Sequence, residues 1–211
     1  MASPHSPKQH HILASLPAED YTRLLPDLEL IPMPLGWAAY ESGGHMNYMY
    51  FPTSSVVSLL YVMENGASAE IAITGNCGLV GISLFMGGES TPSRAVVQSA
   101  GNGYRLRASV LKREFAMGAN LQHLALRYTQ ALITQMAQEL IANMLGVHRE
   151  GVTAAAGKLQ ADGLIHYSRG HIKVLDRARL EQRVCECYAV VKKEYDRLLP
   201  YKLPGLPNTA T

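Results

Sequence analysis

A cluster of polar and charged residues falls within residues 139–174, a stretch that is otherwise mostly small and apolar. The stretch reads ELIANMLGVHREGVTAAAGKLQADGLIHYSRGHIKV. Its candidate contact residues are His148, Arg149, Glu150, Thr153, Lys158, Ser168 and Arg169. Arg and Lys neutralise phosphates, while Arg, Glu and Thr hydrogen-bond to base edges, so this chemistry suits a nucleic acid.

The spacing of three small or apolar residues indicates which elements must position this cluster. Ala142 falls where a first helix presses on a second, Gly146 where the chain turns sharply, and Val152 where two helices cross. Glycine suits such a turn because a Cβ is costly at positive φ. The pattern predicts a helix, a tight turn and a second helix whose polar N-terminal residues face outward, as entry into a DNA major groove requires.

Two short β-prone runs, residues 164–167 and 171–174, follow the second helix and predict a hairpin wing. The predicted turn is Ser168-Arg169-Gly170, and Arg169 at its tip could reach a phosphate. The alternative is an ordinary helix pair and hairpin that bind nothing. We favour the DNA interpretation because the Ala, Gly and Val spacing and the wing occur together.

Charge is distributed unevenly along the 211 residues, whose net charge is +2. Residues 1–138 contain eight Lys/Arg against nine Asp/Glu, and residues 139–211 contain eleven against eight, which gives −1 and +3. The basic half is therefore the one predicted to contact DNA. Neither a membrane-spanning apolar run nor a signal-peptide core is present, so we expect a cytoplasmic protein.

Catalysis and metal binding find little support in the sequence. Cys77, Cys185 and Cys187 are too few and too badly spaced for a disulfide framework. His10 and His11 are adjacent but lie near a terminus that we expect to be mobile, and no histidine pair has ligand spacing on an element. There is no nucleophile elbow and no P-loop lysine, so we predict no metal, no cofactor and no enzyme activity.

The first half of the chain has the texture of a small β-domain. Residues 10–25 predict two short helices broken at Pro17, which suits the first turn of the second helix. The predicted strands are residues 28–33, 49–51, 55–63, 67–74, 95–99 and 103–106. The clearest pair is the third and fourth of these strands, which flank Asn65-Gly66 as a hairpin.

Helices dominate the sequence after this domain. Residues 108–116 predict a short helix, and a longer helix begins near Asn120. The apolar stripe of the longer helix is Leu121, Leu124, Tyr128, Ala131, Leu132, Met136, Leu140 and Met144. This stripe must be buried against its own β-domain, against a second copy of the chain, or against both. Asp176 is predicted to cap one final helix that runs to Leu198 along a face of Leu180, Val184, Tyr188, Val191, Tyr195 and Leu198.

In this order of elements the chain resembles the Crp/Fnr transcription regulators. The resemblance rests on GLVGISLFMGGESTPSRAVVQ, residues 78–98, which is similar to the family's phosphate-binding cassette, and on residues 139–165. It implies an α+β fold: a β-roll (double-stranded β-helix) of the cyclic-nucleotide-binding type over 1–118, a dimerisation helix over 119–138, and a winged helix-turn-helix DNA-binding domain over 139–200. The tail, 201–211, is expected to be disordered.

The cassette departs from that of the cyclic-AMP-binding members. Gly81-Ile82-Ser83 replaces their Gly-Glu-Leu, and Ser93-Arg94 reverses their Arg-Ser pair, which moves the guanidinium to the other face of a strand. We therefore expect no cyclic AMP binding, and the chain has neither the cysteines of the iron-sulfur members nor a matched haem ligand. Candidates for lining another effector pocket are Glu70, Gly81, Glu89, Thr91, Ser93 and Arg94. The alternative is a packed scaffold without a ligand.

The resemblance also assigns roles within residues 139–174. It places Arg149, Glu150 and Thr153 at base-contacting positions, where Arg149 would donate to guanine and Glu150 would accept from cytosine. Family members commonly carry an Arg at the next position, which here is Ala154. The implied partners are double-stranded DNA with a palindromic site, a second copy of the chain through the long helix, and RNA polymerase. A non-DNA interaction or ligand-sensing module is the competing function.

The junction of Gln138 and Glu139 is a second departure, because family members place another helix and a small β element there. Either the long helix continues directly into the first helix of the helix-turn-helix, over about 26 residues as far as Leu145, or a segment is missing at the junction. We favour the missing segment, since a helix-turn-helix without half of its core should fold poorly.

Overall fold

The computed structural model describes residues 5–62, 68–144, 157–168, 171–183 and 186–199, and these form a mixed α+β fold. The elements are α1 His11–Ala14, α2 Ala18–Leu24, β1 Glu29–Met33, β2 Ala38–Tyr40, β3 Tyr48–Pro52, β4 Val56–Val62, β5 Ser68–Thr74, β6 Ser93–Ser99, β7 Gly101–Arg107, α3 Ala108–Ala116, α4 Asn120–Met144, β8 Ile165–Ser168, β9 His171–Val174, α5 Arg177–Glu181 and α6 Glu186–Leu198. Residues 157–161 are also helical.

Two antiparallel sheets form the β-domain. One has the order β1-β7-β3 and the other the order β2-β6-β4-β5. Along β6 the buried side chains of Ser93, Ala95 and Val97 alternate with the half-buried Arg94 and Val96, the period of a strand with one face on the core. The predicted strands are confirmed to within two residues at their ends, except that β2 was not predicted, because three residues are too few to show a period.

The N-terminal turn is an anchored part of the domain. The helices break at Pro17 as predicted, although Pro17 is the N-cap of α2 rather than part of its first turn. His10 is fully buried, its Nε2 donates to the Gly78 carbonyl oxygen at 2.8 Å, and its ring packs edge-on against Phe51. The expectation of a mobile terminus around His10 is therefore wrong: these contacts are made with residues far along the sequence.

The long helix α4 runs without a break through Gln138 and Glu139 to Met144. This is the geometry expected when the two segments are joined directly, and the missing segment that we favoured stays a prediction that an intact mass measurement would test. Residues on both sides of the junction include neither Gly nor Pro, and a helix already formed extends across them at little cost.

The apolar stripe of α4 is buried within its own chain. Leu121, Leu124, Tyr128, Ala131 and Leu132 are each at most 7% exposed and belong to the core that fills the β-domain. The N-terminal part of the stripe is therefore packed against the chain's own β-domain. Leu140 and Met144, the last residues of the stripe, lie outside the described side chains, so packing against a second copy stays a prediction.

The C-terminal segment differs from its prediction. Asp176 caps as expected, accepting from the backbone N–H of Arg179 at 3.0 Å. The single final helix is wrong, however, because α5 ends at Glu181 and α6 begins at Glu186. Tyr188 in α6 is 36% exposed, and among the described side chains of residues 188–199 the buried ones are Leu198 and Leu199. Among the described helices, none is long and apolar enough to cross a membrane.

Candidate DNA-binding surface and effector cassette

The second helix of the helix-turn-helix is described from residue 157 onward. His148, Arg149, Glu150, Thr153 and the turn residue Arg169 are among the predicted contact residues, and they lie outside the described residues. Lys158 is exposed on the described end of this helix. The helix stops at Gly163, whose φ of +69° and bond to the Gln160 carbonyl (3.0 Å) terminate it.

The wing follows immediately. The strands β8 and β9 pair from Ile165 with Val174 to Ser168 with His171. Ser168 is thus part of a strand, and the connection is two residues long instead of the predicted three, which is a common hairpin length. Leu164 and Ile165, at the start of the wing, are buried.

The wing also carries a cation that the prediction missed. Lys173 is exposed and lies directly opposite the exposed His166 on the neighbouring strand. The sequence alone did not pair Lys173 with His166, because the residues that face each other across two strands depend on the length of the turn between them. Arg179, at the start of the next helix, is exposed as well, whereas Arg183 forms an ion pair with Asp162 at the end of the second helix.

Two of the effector candidates meet in the cassette. Ser93, which is 9% exposed, lies with its hydroxyl 3.0 Å from that of Thr91. Gly81 has φ +102°, and a Cβ there would approach the Tyr48 carbonyl oxygen to 3.1 Å. The glycine is therefore required by the backbone at this point in the cassette.

The charged candidates are directed to other partners. Glu70 accepts a hydrogen bond of 2.5 Å from Ser58, and Arg94 forms an ion pair of 2.7 Å with Glu41. Arg94 and its neighbour Ser93 thus use opposite faces of β6.

Glu89 is paired outside the cassette. It forms an ion pair with Lys112, which lowers the pKa of its carboxyl, and lies 3.5 Å from His45. The six candidates therefore occupy several separate hydrogen-bonded groups. Within the described part of the chain, no group of three or more His, Cys, Asp or Glu side chains is placed to hold a metal ion.

Comparison with known proteins agrees with this architecture. The sequence model of the Crp-like helix-turn-helix domain matches residues 117–183. FixK2 of Bradyrhizobium japonicum has a TM-score of 0.58 at 13% identity, covering 75% of this chain and 98% of its own, so the two share a fold.

Other solved structures are similar at lower scores. DNR of Pseudomonas aeruginosa aligns with a TM-score of 0.47 and 18% identity over 83% of this chain and 94% of its own. A regulatory subunit of a cAMP-independent protein kinase A from Trypanosoma brucei aligns at 0.44 and 16% identity over 51% of this chain, which spans only 43% of that subunit. No curated protein matches the chain by sequence. Residues 117–183 therefore match a Crp-like helix-turn-helix domain, and the chain shares the fold of FixK2.

Proposed function

We propose that the protein is a dimeric transcription regulator that binds a palindromic site in double-stranded DNA. The observation that carries the proposal is the Crp-like helix-turn-helix domain, which matches residues 117–183 and ends in a wing. In this assignment residues 1–118 are the sensory domain, 119–138 the dimerisation helix and 139–200 the DNA-binding domain. A protein bound to the chromosome works in the cytoplasm, and RNA polymerase stays a predicted partner.

The DNA contacts divide into two classes. Arg149, Glu150 and Thr153 would meet base edges and set the sequence preference. Lys158 and Lys173 are exposed, and like the wing-tip Arg169 they would meet phosphates, which adds affinity that depends on salt but not on sequence.

The proposed dimer uses the outward face of α4. Leu126 and Ile133 are 48% and 56% exposed, and they lie seven residues apart. Within α4 the residues that share this face are His123, Gln130 and Ala137, so the spacing alternates between three and four, and Gln130 at the edge of the face donates to Glu194 of α6. That is the spacing of a two-helix seam, and a twofold axis along it would set two helix-turn-helix segments against two half-sites.

We propose further that the cassette does not bind cyclic AMP. The position of the ribose-binding Glu is occupied by the apolar Ile82, and Arg94 lies on the opposite face of β6 from Ser93, where it pairs with Glu41. Calorimetric titration with cyclic AMP and cyclic GMP tests this part, and micromolar binding would contradict it.

Selection of bound duplexes from a random DNA pool tests the function itself. We expect a palindrome whose half-sites are about one helical turn apart and a steep fall in affinity with salt. Arg149→Ala should lose about 1 to 3 kcal/mol on the selected site and much less on random DNA. Arg127→Ala, an exposed cation on α4, is the matched control and should change neither. Binding without a salt dependence would instead support an interaction module that does not contact DNA.

A further inference from the structure

A cavity of about 240 Å³ lies between the β-domain and the C-terminal helices, and its β-domain wall includes the two residues that directly precede the cassette. The residues that line it are His11, Asn76 and Cys77 from the β-domain and Arg177, Lys192, Tyr195 and Asp196 from the C-terminal helices. Two cations and one carboxylate face this space together with an amide, a thiol and two rings, so the lining carries one net positive charge. Its volume is slightly below the roughly 300 to 1,000 Å³ of drug-sized sites, so it fits a small molecule.

The two cations have hydrogen-bonding capacity left for a ligand. Arg177 donates through Nε to Glu181 at 2.8 Å, and Lys192 donates to Asp196 at 2.9 Å. A guanidinium has five N–H groups and an ammonium three, more than these carboxylates accept. Each carboxylate raises the pKa of its cation, so both stay charged at neutral pH. Burial lowers the pKa of His11, which therefore offers a neutral ring.

The cavity lies where the last helix is docked on the rest of the chain. The Tyr195 ring packs edge-on against Tyr128 of α4, with 6.3 Å between centroids, and its hydroxyl donates to Gln135 at 3.3 Å. Leu198 and Leu199 are buried in the same core as the β-domain. The residues between α4 and α6 are thus attached to α4 at both ends. They follow α4 directly in the sequence, and α6 after them packs back on α4.

We propose that this cavity binds a small planar organic carboxylate, and that the bound molecule holds α6 against the β-domain. The carboxylate would accept from Arg177 and Lys192 while its flat body lies among the Tyr195 and His11 rings. A ligand that touches both sides of the junction favours the docked arrangement by its difference in affinity for the docked and undocked states. Its effect on DNA binding rests on the proposed function, whereas its binding does not.

Calorimetric titration of the full chain with benzoate tests the site. We expect saturable binding with a dissociation constant of about 1 mM or tighter, and no binding of the neutral benzyl alcohol. Lys192→Gln and Arg177→Gln should each weaken benzoate binding about tenfold or more, because each removes a charge-assisted hydrogen bond. Lys193→Gln is the matched control, since this exposed neighbour does not line the cavity.

Two results of the titration would contradict the proposed site. Absence of saturable benzoate binding overturns the site, and so does binding that Lys192→Gln and Arg177→Gln leave unchanged, because the molecule would then lie elsewhere. A second measurement follows hydrogen exchange of the α6 amides, which benzoate should slow in the wild type but not in Lys192→Gln. If the protein did not bind DNA, the proposed function would be wrong. The benzoate titration and the hydrogen-exchange measurement would still test whether the cavity is a binding site.

Discussion

The β-domain and the described part of residues 157–183 differ in how many hydrophobic side chains they bury. Strands β1 to β7, the N-terminal turns and α4 share one continuous core of Leu, Ile, Met and aromatic side chains. Among the side chains that the structure describes in residues 157–166 and 172–183, Leu164 and Ile165 are the buried hydrophobic residues. We expect these residues to take much of their order from the elements to which they are attached. Here these attachments are α4 and the docked α6.

Replacing one buried leucine by alanine in each region tests this difference in burial directly and gives the largest expected effect. Leu106 on β7 and Leu164 before the wing are both fully buried. Leu106→Ala should lower the free energy of global unfolding by about 2 to 5 kcal/mol. Leu164→Ala should leave global unfolding almost unchanged while speeding hydrogen exchange across β8 and β9. Denaturant titration with exchange measurements checks both, and an equal global loss would show that the regions unfold as one unit.

A substitution at Gly78 tests how tightly the β-domain is packed against Tyr128 of α4. A Cβ added there would collide with the Thr74 hydroxyl and come within 2.6 Å of the Tyr128 ring and its hydroxyl. Both side chains are buried and bonded to each other at 3.2 Å, so neither can move aside freely. Gly78→Ala should therefore destabilise the domain by about 1 to 3 kcal/mol.

The control for this substitution lies three residues earlier. At Gly75 an added Cβ would meet the Ser55 carbonyl oxygen at 3.8 Å, an ordinary contact, so Gly75→Ala should cost little. Thermal unfolding of the two variants, compared with the wild type, distinguishes them. Similar melting temperatures for both would mean that Tyr128 has room to yield, and that the core here is looser than its burial implies.

The pH dependence of stability should come partly from His10. Burial lowers its pKa in the folded state to about 3, whereas the unfolded chain has the ordinary value of 6.5. Below pH 6.5 the unfolded state binds the proton first, so stability is full above that pH and falls as the pH drops. The loss between pH 6.5 and pH 5 is about 2 kcal/mol.

Substitutions separate His10 from other titrating groups. His10→Gln keeps a donor for Gly78 but cannot titrate, so its free energy of unfolding should fall less between pH 6.5 and pH 5 than that of the wild type. His123→Gln, at an exposed position on α4, should keep the wild-type slope. Denaturant titrations at the two pH values provide the measurement. Parallel slopes for all three proteins would assign the pH dependence to other groups.

The contrast between the two regions also explains what the sequence could predict. The strands of the β-domain and the buried stripe of α4 follow from local periods of two and 3.6, which a single segment displays by itself. The burial of His10 does not, because it depends on a carbonyl 68 residues away. The partners of the charged candidates for the effector pocket could not be predicted either, because they too depend on contacts between separate elements. Their partners Ser58, Glu41 and Lys112 come from other elements.

The docking of α6 on α4 likewise could not be predicted from local sequence patterns. Weakening this docking has the smallest predicted effect. Tyr195→Phe removes the hydroxyl that bonds to Gln135 on α4, which should loosen α6 by about 0.5 to 1.5 kcal/mol. Tyr188→Phe is the matched control, since the Tyr188 hydroxyl donates to Glu181 within the C-terminal segment. If docking of α6 orders the DNA-binding segment, only Tyr195→Phe should speed hydrogen exchange in α6 and in the wing together. Faster exchange in α6 alone would mean that the wing takes its order from α4 and not from the returning helix.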